Sequence, residues 1–178
     1  MALAMGGGSL ARYLRPDLHT PFFISYAHTS PQPDEMAKRF FQLLRRHIQT
    51  LVHVPVGTPL GFFDQERIAP ALLWDKELAE ALGTCQVLVP LMCPPYLNKE
   101  WCGKEWHAFT LRKREPIPGR SGSPQPSIYR LLEDDENASG TIIWQLAKRI
   151  QEIYYSQRLR PRVFNQDDLR NIFASDVP

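Results

Sequence analysis

The chain has 178 residues, enough for one domain of ordinary size and short of two. Hydrophobic residues make up 43% and charged residues 22%, close to globular averages, which excludes a disordered or fibrous chain. With 21 Lys and Arg against 19 Asp and Glu, the net charge of +2 provides no global field to hold nucleic acid or an anionic membrane, so neither is expected as a partner.

The 16 prolines, about twice the usual share, fall mostly between candidate elements and imply long loops. Cys85, Cys93 and Cys102 form neither a C-x-x-C pair nor an even-numbered disulfide framework, which fits a reducing compartment. No run approaches the ~20 apolar residues of a membrane span, and Gly6, Gly7 and Gly8 interrupt the start before an apolar signal region can form. A cytoplasmic protein is expected.

Residues 1–18 show no sustained period and read as an N-terminal extension. Pro21 to Tyr26 is a short aromatic and branched run that predicts a buried strand, left through the polar stretch His28 to Pro33. From Asp34, an expected N-cap, Met36, Phe40, Leu43, Leu44 and Ile48 recur at helical spacing. Leu60 to Phe63 reads as a second strand with Asp64 to Pro70 as its exit loop. A helix over about Leu73 to Leu82 should end at Gly83 in the left-handed cap. Cys85 to Met92, the most apolar run, is the expected central strand, stopped by Pro94-Pro95. Helices over about Asn98 to Lys113 and Thr141 to Tyr155 complete the pattern. Between Arg112 and Gly140, prolines, glycines and serines leave only Ile128 to Leu132 as an ordered candidate, so the fourth-strand region reads as irregular. The acidic run Glu133 to Glu136 reads as a solvated loop.

Strands alternating with helices predict an α/β fold, a parallel sheet with helices on both faces, whose ligands bind outside the carboxyl ends of the strands. Here those ends are Ser25 to His28, Phe63 to Arg67 and Met92 to Leu97.

Several familiar sites are excluded. Gly6-Gly7-Gly8 precedes no strand and lacks the Lys-Ser/Thr of a phosphate loop, and Gly119 to Gly122 misses the nucleophile-elbow spacing by one residue. The five histidines form no i, i+4 pair and lie near no cysteine cluster, so no metal is expected. Cys102 has no histidine within reach in its own motif and reads as a small packing residue.

The informative stretch is Lys99 to Trp106. On a helix, Trp101 and Glu105 share one face at the mouth of the central strand, with Phe109 continuing the stripe inward. An indole can stack on a nicotinamide or adenine ring, and a desolvated carboxylate can stabilise positive charge on a ribose whose glycosidic bond is breaking. Spacing alone favours the other reading, with Trp101 and Trp106 as core aromatics and Glu105 as a surface acid paired with Lys104 or Arg112, since helical aromatic stripes are usually packing. Tyr26 is likewise open between a site residue and a buried strand-end aromatic.

Phe22 to Ala27 resembles the first strand of TIR domains, and Gly61-Phe62-Phe63-Asp64 with its polar loop resembles their second strand and BB loop. Leu72 to Leu91, with Trp74 and Glu77-Leu78, is similar to the family's helix and central strand. Trp101-Cys102-Gly103-Lys104-Glu105 resembles the W-C-x-x-E motif that opens its third helix. The ordered set spans Pro21 to about Arg114, nearest to bacterial, especially actinobacterial, members of the FxsC-like kind.

The resemblance implies a flavodoxin-like fold for residues 19–156, with 157–178 as a tail toward a partner or a downstream domain. It implies NAD glycohydrolase activity in bacterial defence or signalling, with NAD as substrate and no separate cofactor. Glu105 would be the catalytic glutamate and Trp101 the aromatic wall beside it. Ser25, Tyr26, Ala27 and His28 would form the floor, with Phe63 and Asp64 at the base of the BB loop. Gln65, Glu66, Arg67, Ile68, Ala69 and Pro70 would mediate head-to-tail homo-oligomer contacts. The alternative is a non-catalytic TIR interaction module. A phosphoacceptor receiver on the same fold is excluded because no acidic pair follows the first strand.

Overall fold

The structure, a computed structural model, describes residues 19–28, 31–63, 71–112, 114–116, 131–132, 140–159, 162 and 164. Strand β1, Phe22–Ser25, is wholly buried. It is followed by α1 (Pro31–Leu51), β2 (Gly61–Phe63), α2 (Ala71–Thr84), β3 (Val87–Met92), the short helix α3 (Pro94–Leu97), α4 (Glu100–Thr110), β4 (Arg114–Pro116), β5 (Leu131–Leu132), α5 (Gly140–Ser156) and β6 (Gln157–Leu159).

Four strands form one parallel sheet in the order β2-β1-β3-β5, and β4 and β6 form a separate antiparallel pair. Phe22 lies opposite Gly61 on one side and Val87 on the other. A Cβ at Gly61 would run into the Phe22 ring, so only glycine lets β2 approach this closely.

Side-chain alternation along β1 and β3 divides the core in two. Phe22, Ile24, Val87 and Val89 meet Leu44 and Ile48 of α1 and Ile143, Ala147 and Ile150 of α5. Phe23 and Leu88 meet Leu78 and Leu82 of α2 and Ala108 and Phe109 of α4. Both faces are apolar, as a parallel strand between two helical layers requires. The architecture is therefore the expected flavodoxin-like three-layer α/β fold.

Four details differ from expectation. Helix α1 begins at Pro31, so Asp34 lies in its first turn instead of capping it; first-turn N–H groups lack intrahelical partners, which lets a proline start the helix. The buried stripe of α1 runs through Ala37, Leu44 and Ile48, while Met36 and Leu43 are 49% and 41% exposed. Two apolar stripes overlap on this helix, and packing against α5 selects one. Gly83 stays helical within α2, and Gly57 is the one positive-φ glycine among the described residues.

The fourth strand exists as β5, with Leu91 opposite Leu131 and Met92 opposite Leu132, although two residues are too few to carry a sequence period. The fold continues past 156, because β6 pairs with β4 and both Leu159 and Phe164 are buried in the second core cluster. Residues 1–18 lie outside the described residues.

Candidate functional site

The carboxyl ends of β1 and β3 and the start of α4 meet at one edge of the sheet. Ser25, the last residue of β1, points to the same face as Phe23, toward α4. There its hydroxyl donates to Glu105 Oε2 at 2.5 Å. Both groups are inside the protein, Ser25 at 1% and Glu105 at 4% exposure. Glu105 is therefore not the surface acid that spacing alone allowed. The Arg112 guanidinium donates to the carbonyls of Leu82, Cys85 and Leu159.

Helix α4 places Glu105 by its register. Ala108 and Phe109 anchor its inner end in the core, and Glu105, one turn earlier, falls level with the end of β1. Trp101, a further turn out, is half-buried and packs against the second core cluster. Buried Lys104 is paired with Glu100 one turn earlier on the same helix.

Tyr96 completes the polar centre, its hydroxyl 2.9 Å from Ser25 Oγ. Because the single serine proton goes to Glu105, the tyrosine donates in this pair. Burial pushes the Tyr96 phenol well above its ordinary range, against an opposing pull from its hydrogen bond with Ser25, so it stays a protonated donor. Tyr96 sits in α3, whose first residues are Pro94 and Pro95 and whose N-cap, Cys93, is extended. Ala27, Cys93, Tyr96 and Cys102 pack together beneath this edge, and Cys102 Sγ lies 3.6 Å from the Tyr26 carbonyl oxygen. Cys102 thus serves packing here.

The period of two along the chain after β1 splits the expected floor. Ser25 and Ala27 face the α4 side with Glu105, whereas Tyr26 belongs to the α1 side. Tyr26 stacks on Phe63, ring centroids 4.8 Å apart, and Phe63 stacks on Phe41 at 5.2 Å. The Tyr26 hydroxyl lies 2.9 Å from His28 Nδ1, which is 3.4 Å from Asp34 Oδ2 of α1. Glu105, Ser25 and Ala27 are brought together; Tyr26, His28 and Phe63 form a second group. Asp64 and the loop residues Gln65 to Pro70 lie outside the described residues.

Three buried polar residues had no signal in the sequence. Tyr96 follows two prolines and reads as loop. Gln86 accepts from the Leu159 N–H at 2.8 Å and donates to the Leu159 carbonyl at 3.5 Å, replacing a strand neighbour for β6. Arg112 binds carbonyls at the end of α2 and in β6, and its guanidinium lies 5.5 Å over the Phe109 ring. Among the described residues no group of three or more His, Cys, Asp or Glu could hold a metal ion, and no helix is long and apolar enough to cross a membrane.

A doubly covered parallel sheet with a buried carboxylate on the helix beyond β3 defines an α/β domain with its polar centre at the carboxyl edge. The family model described as TIR domain matches residues 22–157, and the chain belongs to the TIR domain family. No curated protein and no solved structure matches it.

Proposed function

We propose that this TIR domain is an NAD glycohydrolase, splitting the bond between nicotinamide and ribose to release nicotinamide and ADP-ribose or a cyclised form of it. The observation that carries this reading is the Glu105 carboxylate held by Ser25 at the carboxyl edge of the sheet, where α/β folds bind ligands. As the bond from ribose C1′ to the nicotinamide nitrogen breaks, its electron pair leaves with the base and positive charge builds on the ribose. A fixed carboxylate in a low-dielectric setting stabilises that charge. Water then adds to C1′ and loses a proton, giving the linear product.

In this reading Trp101 walls the site, and Ser25, Ala27, Tyr26, His28, Phe63 and Asp64 surround the dinucleotide. The loop Gln65 to Pro70 supplies contacts to a second copy. A setting in bacterial defence or signalling is part of the same proposal. The second reading, a non-catalytic interaction module, is favoured by the cover over Glu105 and by the core packing of Trp101.

Purified protein incubated with NAD over a hundredfold range of concentration tests both. Release of free nicotinamide supports the enzyme, and specific activity rising with concentration supports assembly. No release at any concentration supports the module.

A further inference from the structure

Tyr96 takes no part in the chemistry just described, yet its placement is costly. Its ring is buried among Ala27, Cys93 and Cys102, where a phenylalanine would satisfy the packing. A hydroxyl carried into such a site is unfavourable unless bonded, and this one is bonded to Ser25. Ser25 in turn donates to Glu105. The three residues come from α3, β1 and α4, so three separate elements converge on one polar line.

A serine hydroxyl is a rotor with one proton and two lone pairs. With Tyr96 donating to a lone pair, the proton is directed to the carboxylate, and each bond polarises the next. Without that donor the rotor is free to leave Glu105.

We propose that Tyr96 is a positioning residue for Glu105, holding the carboxylate in one orientation through the Ser25 hydroxyl. Its consequence for turnover rests on the glycohydrolase reading, whereas its coupling to Glu105 rests on the geometry alone. The titratable groups acting on Tyr96 here are Glu105, Cys102 and Cys93, and burial keeps the phenol protonated.

The test uses the full chain with glutamate labelled at the carboxyl carbon, the Glu105 signal being the one lost in Glu105→Gln. Tyr96→Phe is expected to move that signal, and the same substitution made in Ser25→Ala is expected to leave it in place. Nicotinamide release should slow about fivefold to tenfold in kcat, with KM within about twofold. A Glu105 signal that ignores Tyr96→Phe, or that moves as far when Ser25 is gone, overturns the relay. A wild-type protein that releases no nicotinamide overturns the glycohydrolase reading instead, and the carboxyl signal still decides the coupling. Should Tyr96→Phe fail to fold, the ζ-carbon signal of Tyr96 is read in Ser25→Ala: a shift supports the relay and an unmoved signal overturns it.

Discussion

Ser25 and Glu105, separated by 80 positions in the chain, share a 2.5 Å hydrogen bond between the end of the first strand and the helix after the third. Neither group reaches water to any useful extent, so their bond satisfies polar atoms that solvent does not. Ser25→Ala should therefore leave a buried carboxylate short of a donor and cost about 1 to 3 kcal/mol, measured from the urea midpoint. Nicotinamide release should slow at least about tenfold in the folded protein, since the acid loses its anchor. Unchanged stability and activity would mean that the bond contributes nothing.

Two glycines should respond in opposite directions. Gly61→Ala brings a methyl group into the Phe22 ring, itself wholly buried between β2 and β3, and should destabilise by about 1 to 3 kcal/mol. Gly103, inside W-C-x-x-E, is exposed on α4 with nothing within 4 Å of an added Cβ. Gly103→Ala should stabilise by about 0.5 to 1 kcal/mol through helix propensity. Thermal melts of the two variants check the pair.

Much of the layout was legible because it repeats. The aromatic run of β1, the apolar run of β3 and the stripe of α5 each carry a period that the fold obeys, and W-C-x-x-E drew attention to Glu105, which lies buried beside Ser25. What escaped has no period. The two leucines of β5 and the three residues of β6 are too short to show alternation. On α1, Met36 with Leu43 and Ala37 with Leu44 satisfy helical spacing equally, and contact with α5 chooses the second pair. Gln86 and Arg112 bond backbone carbonyls, which leave no trace in sequence. Tyr96 is invisible for a related reason: its partner lies 71 positions earlier, at the end of another element.

Arg112 ties the end of α2 to β6 through carbonyl acceptors arranged for a guanidinium fork. Arg112→Lys keeps the charge and loses the fork, and should cost about 2 to 3 kcal/mol. Hydrogen exchange should accelerate at Leu159 more than at Ile150 of α5, because β6 loses its clamp while the first core cluster does not. Equal exchange at both positions would show that Gln86 suffices.

Alkaline pH should weaken the fold. Burial pushes the Cys85 thiol from 9.0 up to about 11, with the Arg112 charge pulling the other way, and burial raises the Tyr96 phenol as well. Below pH 9 the thiol is neutral whether folded or not. Between about 9 and 11 the unfolded chain gives up this proton while the folded chain keeps it, so stability falls as pH rises, by about 2 kcal/mol for the thiol alone. Cys85→Ala should remove that part of the slope in urea melts taken across the interval. A wild-type stability flat from pH 9 to 11 would contradict the burial of both groups.

The most direct measurement is nicotinamide release from NAD by Glu105→Gln beside the wild type, with melting temperatures taken on the same preparations. The amide can still accept from Ser25, so the fold should be retained, with a melting temperature equal or higher. It cannot offset a positive ribose, so turnover should fall by about two orders of magnitude or more. Equal rates in the two proteins would contradict the assignment of Glu105 as the catalytic carboxylate.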